Sequence, residues 1–276
     1  MDSKILKKTK DLCKLYNIKP KHKYGQNFLI SEEIYNRIIK VSDLKTDDIV
    51  LEVGPGLGFL TNKLSKICKK VISVELDKEL FDILEKENKN KENIEFINQN
   101  ILDFNQNNFF KKYKIVANLP YKITSVFLRK FLSNKNKPES MVLMLQKEVA
   151  ERIVASPPNM SLLSLSVQFY AKAEICFYVN KNNFYPEPKV DSAVIKIELK
   201  KQNKSSFNEK KFFQLLKIGF SAKRKMLKNN LSSGLHLKQE KIEESLKVLK
   251  LDIKVRAQEL SLDNWKELYG LLKDLY

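Results

Sequence analysis

The strongest constraint on how this chain folds is an alternation that begins at residue 48. "DIVLEVG" is a short apolar run of β type. "FLTNKLSKICKK" after it has helical spacing, with Leu60, Leu64 and Ile67 on one face. The alternation continues through "VISVEL", "KELFDILEKENK", "IEFINQ", "YKIVANL", "SVFLRKFLSN", "SMVLMLQ" and "KEVAERIVA". Strands joined by single helices form right-handed βαβ units and a parallel sheet. The Val, Ile and Leu content of these strands fits a sheet covered on both faces. "AEICFYV" and "SAVIKIELK" follow with only "NKNNFYPEPKVD" between them, so they read as an antiparallel pair at the sheet edge.

Beyond the polar stretch "KKQNKSSFNEKK" no strand pattern appears. "KFFQLLKIGFSAKRKMLKNNL", "KQEKIEESLKVLK" and "LDNWKELYGLLKDLY" all have helical periodicity. The expected organisation is a basic N-terminal arm over residues 1–24, an α/β domain over 25–204 and a small all-α domain over 205–276.

The charge follows the same division. Of 51 Lys and Arg residues only five are Arg, so a compositional bias towards lysine inflates the net charge of +18. Distribution is the better guide. Residues 1–24 carry eight basic and two acidic residues, and residues 200–276 carry 18 and nine, which leaves +3 for residues 25–199. Basic ends around a nearly neutral centre fit an anionic partner, with nucleic acid first. No apolar stretch approaches the roughly 20 residues of a membrane span. The N-terminus lacks the apolar core of a secretory signal. Cys13, Cys68 and Cys176 lie far apart, and the only histidines are His22 and His236. A cytoplasmic protein without structural metal, disulfide or membrane anchor is expected.

Three of the seven glycines, Gly54, Gly56 and Gly58, fall in "LEVGPGLGFL", between the first strand of the alternation and its helix. An α/β sheet binds nucleotides at this place. The dinucleotide fingerprint fails, because Phe59 stands where its third glycine belongs, and no GK[ST] follows. Pro55 removes one N–H from any phosphate cradle. Glu75 ends the second strand, 21 residues after Gly54, where a carboxylate accepts hydrogen bonds from ribose hydroxyls. S-adenosylmethionine (SAM) has an adenosine and no phosphate, so it fits both features. The fold class expected is a Rossmann-like SAM-dependent methyltransferase sheet, mostly parallel with one antiparallel edge strand, plus the small all-α domain.

Methyl transfer is an in-line displacement in which the enzyme supplies position and electrostatics. Attack by a cytosine carbon would need a cysteine nucleophile, and no cysteine lies in a strand-end loop. An exocyclic amine needs hydrogen-bond acceptors for its N–H groups and flat faces for its ring. "NLPY" after the "YKIVA" strand offers these. Asn118 has a side-chain carbonyl, Leu119 a backbone carbonyl, Pro120 a fixed turn, and Tyr121 a stacking face. A base used in this way is flipped or unstacked. "NNFYPEPKVDS" supplies a second aromatic, Phe184, with Tyr185 as its rival.

Together these stretches resemble the ribosomal RNA adenine dimethyltransferases, in particular the small-subunit branch. "KYGQNFL", "LEVGPGLGFLT", "VISVELD", "ANLPYKITS", "LQKEVAERIVA", "FYPEPKVDSAV" and "FSAKRKMLKNNL" match in order over residues 23–231. The resemblance implies N6,N6-dimethylation of two adjacent adenosines near the 3′ end of small-subunit rRNA. It implies a monomer acting on a pre-ribosomal small subunit late in assembly. Carried over residue by residue, Asn27 and Leu29 would contact SAM with Gln26 nearby. Gly54 and Gly56 would line the SAM site, and Glu75 would take the ribose hydroxyls. Asn118 would lie between donor and target amine, Tyr121 and Phe184 would stack on the adenine, and Lys223, Arg224 and Lys225 would meet RNA phosphates.

Two positions depart from the family pattern. Asn100 stands where the family has an aspartate for the amino group of SAM's adenine, with Asp103 as the alternative three residues on. "SPPNMSLLSLSVQFY" has no glycine where the family has one. The rivals are the large-subunit adenine methylases, a non-catalytic assembly factor on the same fold, and a DNA adenine methylase. "NLPY", "QNFL" and "PKVDS" favour the small-subunit branch. An intact glycine loop disfavours the non-catalytic factor, and the small helical C-terminal region disfavours the DNA enzyme.

Overall fold

The computed structural model describes residues 4–21, 24–106, 112–200 and 208–276. The chain forms two compact units, residues 1–150 with 171–199 and residues 151–170 with 200–276. In the first unit α1 (Lys4–Leu15), a two-residue strand β1 (Phe28–Leu29) and α2 (Glu32–Ser42) precede the alternating region. That region runs β2 (Ile49–Val53), α3 (Phe59–Leu64), β3 (Lys70–Glu75), α4 (Lys78–Asn88) and β4 (Ile94–Asn98). It continues through β5 (Lys114–Asn118), α5 (Thr124–Ser133), β6 (Ser140–Gln146) and α6 (Lys147–Ile153), in which the unit boundary falls. After α7 (Leu162–Tyr170) the chain returns with β7 (Ala171–Val179), the two-residue β8 (Phe184–Tyr185) and β9 (Ser192–Leu199).

Seven strands make one sheet in the order β4-β3-β2-β5-β6-β9-β7. β4 through β6 pair in parallel, whereas β9 is antiparallel to both β6 and β7. The antiparallel pair read from the sequence is thus at the edge, with β7 outermost. Val50, Leu51, Val71, Ile115 and Leu143 are fully buried. That is the reason these strands are apolar throughout instead of alternating. From β2 the chain steps outward to β3 and β4, then returns to place β5 on the other side of β2. The reversal leaves a crevice at the C-terminal ends of β2 and β5, where open α/β sheets bind ligands.

The structure departs from the expected organisation in two places. The N-terminal segment is not a separate arm. Ile5 and Thr9, one turn apart on α1, are buried, and Ile5 joins the core that holds Leu60 and Leu64. Ile18 packs with Phe28 and Leu80. The lysines of α1 occupy its remaining faces, which gave the segment its arm-like composition. His22 and Lys23 lie outside the described residues.

Residues 151–170, expected in the α/β domain, belong to the second unit. Their apolar residues bury against helices instead of the sheet. Met160 and Leu165 share a core with Phe212, Leu216 and Trp265, and Phe169 stacks on Phe212 at 5.2 Å. The expected boundary at 204/205 lies outside the described residues.

The second unit adds α8 (Glu209–Gly219), α9 (Leu227–Leu235), α10 (Gln239–Val248) and α11 (Leu262–Leu272) to α7. Asn208 caps α8 by accepting from the Lys211 N–H at 3.1 Å, and Ser261 and Asn264 cap α11 reciprocally. Trp265 fills the centre. A Cβ on Gly219 would stand 2.3 Å from its ring, so α8 and α11 meet through a residue without a side chain.

Candidate active site

β2 ends in the glycine loop and β5 ends in Asn118. Gly54, Gly56 and Gly58 have φ of +64°, +59° and +76°, a region that glycine enters without steric cost. The Gly58 N–H donates to the Pro55 carbonyl at 2.9 Å and turns the chain into α3. A Cβ on Gly54 would lie 3.8 Å from Pro120 Cδ, so the glycine loop and the Asn118–Tyr121 turn face each other. The Leu119 N–H donates to the Met144 carbonyl at 3.2 Å, which fixes that turn against β6. The Tyr121 hydroxyl shares a 2.8 Å hydrogen bond with Ser192 Oγ at the start of β9, and burial pushes its pKa up.

Between these loops is a cavity of about 220 Å³ whose lining lies wholly in the first unit. Asn27, Leu29, Gly54, Gly56, Glu75 and Asn100, expected on the cofactor side, all line it. So do Asn118, Leu119, Tyr121 and Phe184, expected on the acceptor side. Two alternatives left open by the sequence separate here. Phe184 lines the cavity and is only 3% exposed, whereas Tyr185 is not in the lining. Asn100 lines it too, with its Oδ1 accepting from the Leu102 N–H at 3.0 Å, whereas Asp103 is exposed and outside the lining. β1 and β8 pair as Phe28 with Tyr185 and Leu29 with Phe184, which brings "QNFL" and "NNFYPEP" to one wall.

Two carboxylates dominate the electrostatics. Glu75 is 6% exposed. Its Oε1 accepts from the Asp77 N–H at 2.9 Å and its Oε2 from the Gly56 N–H at 3.4 Å. Burial pushes its pKa up to about 7, and those N–H bonds oppose the rise. Glu52, in the middle of "IVLEV", lines the same cavity at 1% exposure. Its Oε2 accepts from Thr61 Oγ1 and Ser73 Oγ, both at 2.6 Å. Burial pushes it up to about 7 as well, against the two hydroxyl bonds. Sequence reasoning missed Glu52, although a single charge inside an otherwise apolar strand was the available signal. Tyr35 of α2 also lines the cavity and was missed with its helix; its hydroxyl donates to the Leu29 carbonyl at 3.0 Å.

Lys223, Arg224 and Lys225 lie in the second unit, all exposed, in the turn between α8 and α9. Asn230 is buried beneath that turn, with its Nδ2 donating to the Gly219 carbonyl at 2.7 Å and the Ala222 carbonyl at 3.1 Å. Among the described residues no group of three or more His, Cys, Asp or Glu side chains is placed to hold a metal ion. No described helix is long and apolar enough to cross a membrane.

The sheet order and the crevice at its switch point, flanked by a glycine loop and a strand-end carboxylate, define a Rossmann-like methyltransferase. The family model described as "Ribosomal RNA adenine dimethylase" matches residues 17–274. The chain belongs to that family. Its relatives include "Ribosomal RNA small subunit methyltransferase A" of Dehalococcoides mccartyi (strain CBDB1), 42% identical over 268 residues, which covers 96% of this chain and 92% of the relative. The protein of the same name in Fusobacterium nucleatum is 40% identical over 260 residues, with coverage of 92% and 98%. Among solved structures, a dimethyladenosine transferase from Plasmodium falciparum superposes with TM-score 0.75 at 29% identity, over 90% of this chain and 98% of that one. The 23S rRNA methyltransferase ErmE superposes with TM-score 0.74 over 90% and 100%; at 23% identity it shows the shared fold.

Proposed function

We propose that the protein uses SAM to dimethylate two adjacent adenosines near the 3′ end of small-subunit rRNA, late in assembly of the subunit. The observation that carries this reading is that the glycine loop, Glu75 and the Asn118–Tyr121 turn line one cavity. The small-subunit name shared by relatives at 40–42% identity supports the choice of substrate.

The cavity suits a cationic nucleoside better than a nucleotide phosphate. Two buried carboxylates, once ionised, repel an anion, and Pro55 has no N–H to offer it. When bound there, SAM supplies a methyl group on a sulfonium that leaves readily. The chain's own residues do the rest. Glu75 accepts from ribose hydroxyls and so fixes the donor's orientation. The Asn118 side-chain carbonyl and the Leu119 backbone carbonyl accept from the target amine and aim its lone pair. Tyr121, steadied by Ser192, and Phe184 flank the ring and replace the stacking it lost on leaving the RNA. Asn100 accepts from the donor's adenine without the charge assistance an aspartate would give, at a cost of about 1 kcal/mol. Lys223, Arg224 and Lys225 hold RNA phosphates.

Labelled SAM should transfer its methyl to unmodified small subunits and not to large subunits or DNA. Label in large-subunit rRNA or in DNA would overturn the reading. Neutralising Lys223, Arg224 and Lys225 together should reduce the salt slope of RNA affinity by about 2. An unchanged slope in a binding titration across salt concentrations would remove them from the interface.

A further inference from the structure

Asp77 does not line the cavity, yet three parts of the site converge on it. It is 4% exposed. Its backbone N–H donates to Glu75 Oε1 at 2.9 Å, which orients the carboxylate that faces the cavity. Its Oδ2 accepts from Gln26 Nε2 at 2.8 Å, and its Oδ1 accepts from Lys21 Nζ at 2.9 Å. Gln26 Oε1 in turn accepts from the Lys21 N–H at 2.7 Å, which closes a ring of three residues. Oδ1 also caps α4 by accepting from the Glu79 N–H at 3.3 Å, while Lys21 reaches Glu79 Oε2 at 3.0 Å.

Gln26 belongs to the segment Tyr24–Leu29, which forms one wall of the cavity. The Phe28 ring in that wall packs against the glycine loop, where a Cβ on Gly56 would stand 3.2 Å away. The two-residue β1–β8 pairing, the Tyr35–Leu29 hydrogen bond and the packing of Phe28 with Ile18 and Leu80 also hold this irregular segment. One buried carboxylate therefore ties the wall to the strand-end glutamate and to the first turn of α4. Burial opposes its charge, but the bonds from Lys21 and Gln26 outweigh burial and hold its carboxyl below the usual value.

We propose that Asp77 is a positioning residue for the methyl donor, acting through Gln26 on the Tyr24–Leu29 wall and through its backbone N–H on Glu75. This rests on the SAM reading above. An isosteric amide at this position keeps the backbone N–H and one acceptor oxygen, but Lys21 and Gln26 donate to different oxygens, so one of the two donors then faces the amide NH2. The wall then loses its anchor while the chemistry at Asn118 is unaffected.

The test compares Asp77→Asn, Gln26→Ala and the double variant, each as the full chain. S-adenosylhomocysteine affinity is measured by calorimetry, and RNA affinity and steady-state kinetics are measured separately. Asp77→Asn should weaken S-adenosylhomocysteine affinity and raise the KM for SAM by about tenfold, with kcat and RNA affinity retained. Gln26→Ala should add little in the Asp77→Asn background, because both changes remove one linkage. Unchanged affinity in Asp77→Asn, or fully additive effects, would overturn the proposal, since a residue that only caps α4 has no coupling to Gln26. If Asp77→Asn lowers the melting temperature, Gln26→Ala decides, because it removes the linkage and leaves the cap intact. An unchanged KM for SAM in Gln26→Ala then overturns the proposal. Failure of the wild-type protein to bind S-adenosylhomocysteine would instead overturn the SAM reading itself.

Discussion

Asn118→Ala should fold normally, bind RNA with nearly the wild-type affinity, and lose methyl transfer. The expected fall in kcat is about 10²–10³-fold, the size found when one preorganised polar group at a reacting centre is removed. The reason is local. Asn118 is the last residue of β5, and the backbone register that holds it to Met144 does not depend on the side chain. Its amide is half-buried at the cavity, so truncation opens no void in the core. What disappears is the acceptor proposed for the target amine. Single-turnover methylation and a filter-binding assay, run side by side, separate the two effects. Loss of RNA binding, with the chemical step retained on bound RNA, would assign Asn118 a different role.

Glu75→Gln should fall mainly on cofactor binding. A charged acceptor for ribose hydroxyls contributes about 1.5–3 kcal/mol, or roughly 10–100-fold in affinity. The pH dependence follows from the raised pKa. Without ligand the native state holds a proton on Glu75 more tightly than the unfolded chain, whose reference value is 4.5. Stability from this group is therefore fully present below about 4.5 and is lost as pH rises through about 7. The ionised form is the better acceptor for ribose. SAM affinity should thus rise with pH up to about 7 and level off above it. Glu75→Gln should remove its share of that rise, while Glu52, also near 7, contributes the remainder. A wild-type affinity flat between pH 6 and 8 would show that Glu75 does not meet the donor as an ionised group.

Much of this site is legible in the sequence because its signals are local. A buried parallel strand is continuously apolar, and a helix repeats every 3.6 residues, so the alternation from residue 48 follows from periodicity alone. Clustered glycines and a proline-fixed turn mark strand ends in the same way. What escaped depends on contacts distant in sequence. The β1–β8 pairing joins Leu29 to Phe184 through two residues on each side, too short to leave a pattern. α1 reads as a charged arm because its apolar stripe is narrow. α2, capped by Ser31, went unread although its apolar spacing, with Ile34 and Ile38 buried, is present. Residues 151–170 are apolar without saying whether a sheet or a helical core covers them. Glu52 and Asp77 bond to partners distant in the chain, and single-chain spacing does not display such partners.

The most direct test is mass spectrometry of rRNA from unmodified small subunits after incubation with the protein and SAM. The account predicts four methyl groups on one fragment near the 3′ end, carried as two adjacent dimethyladenosines. Methyl groups on any other base, or on large-subunit rRNA, would contradict it.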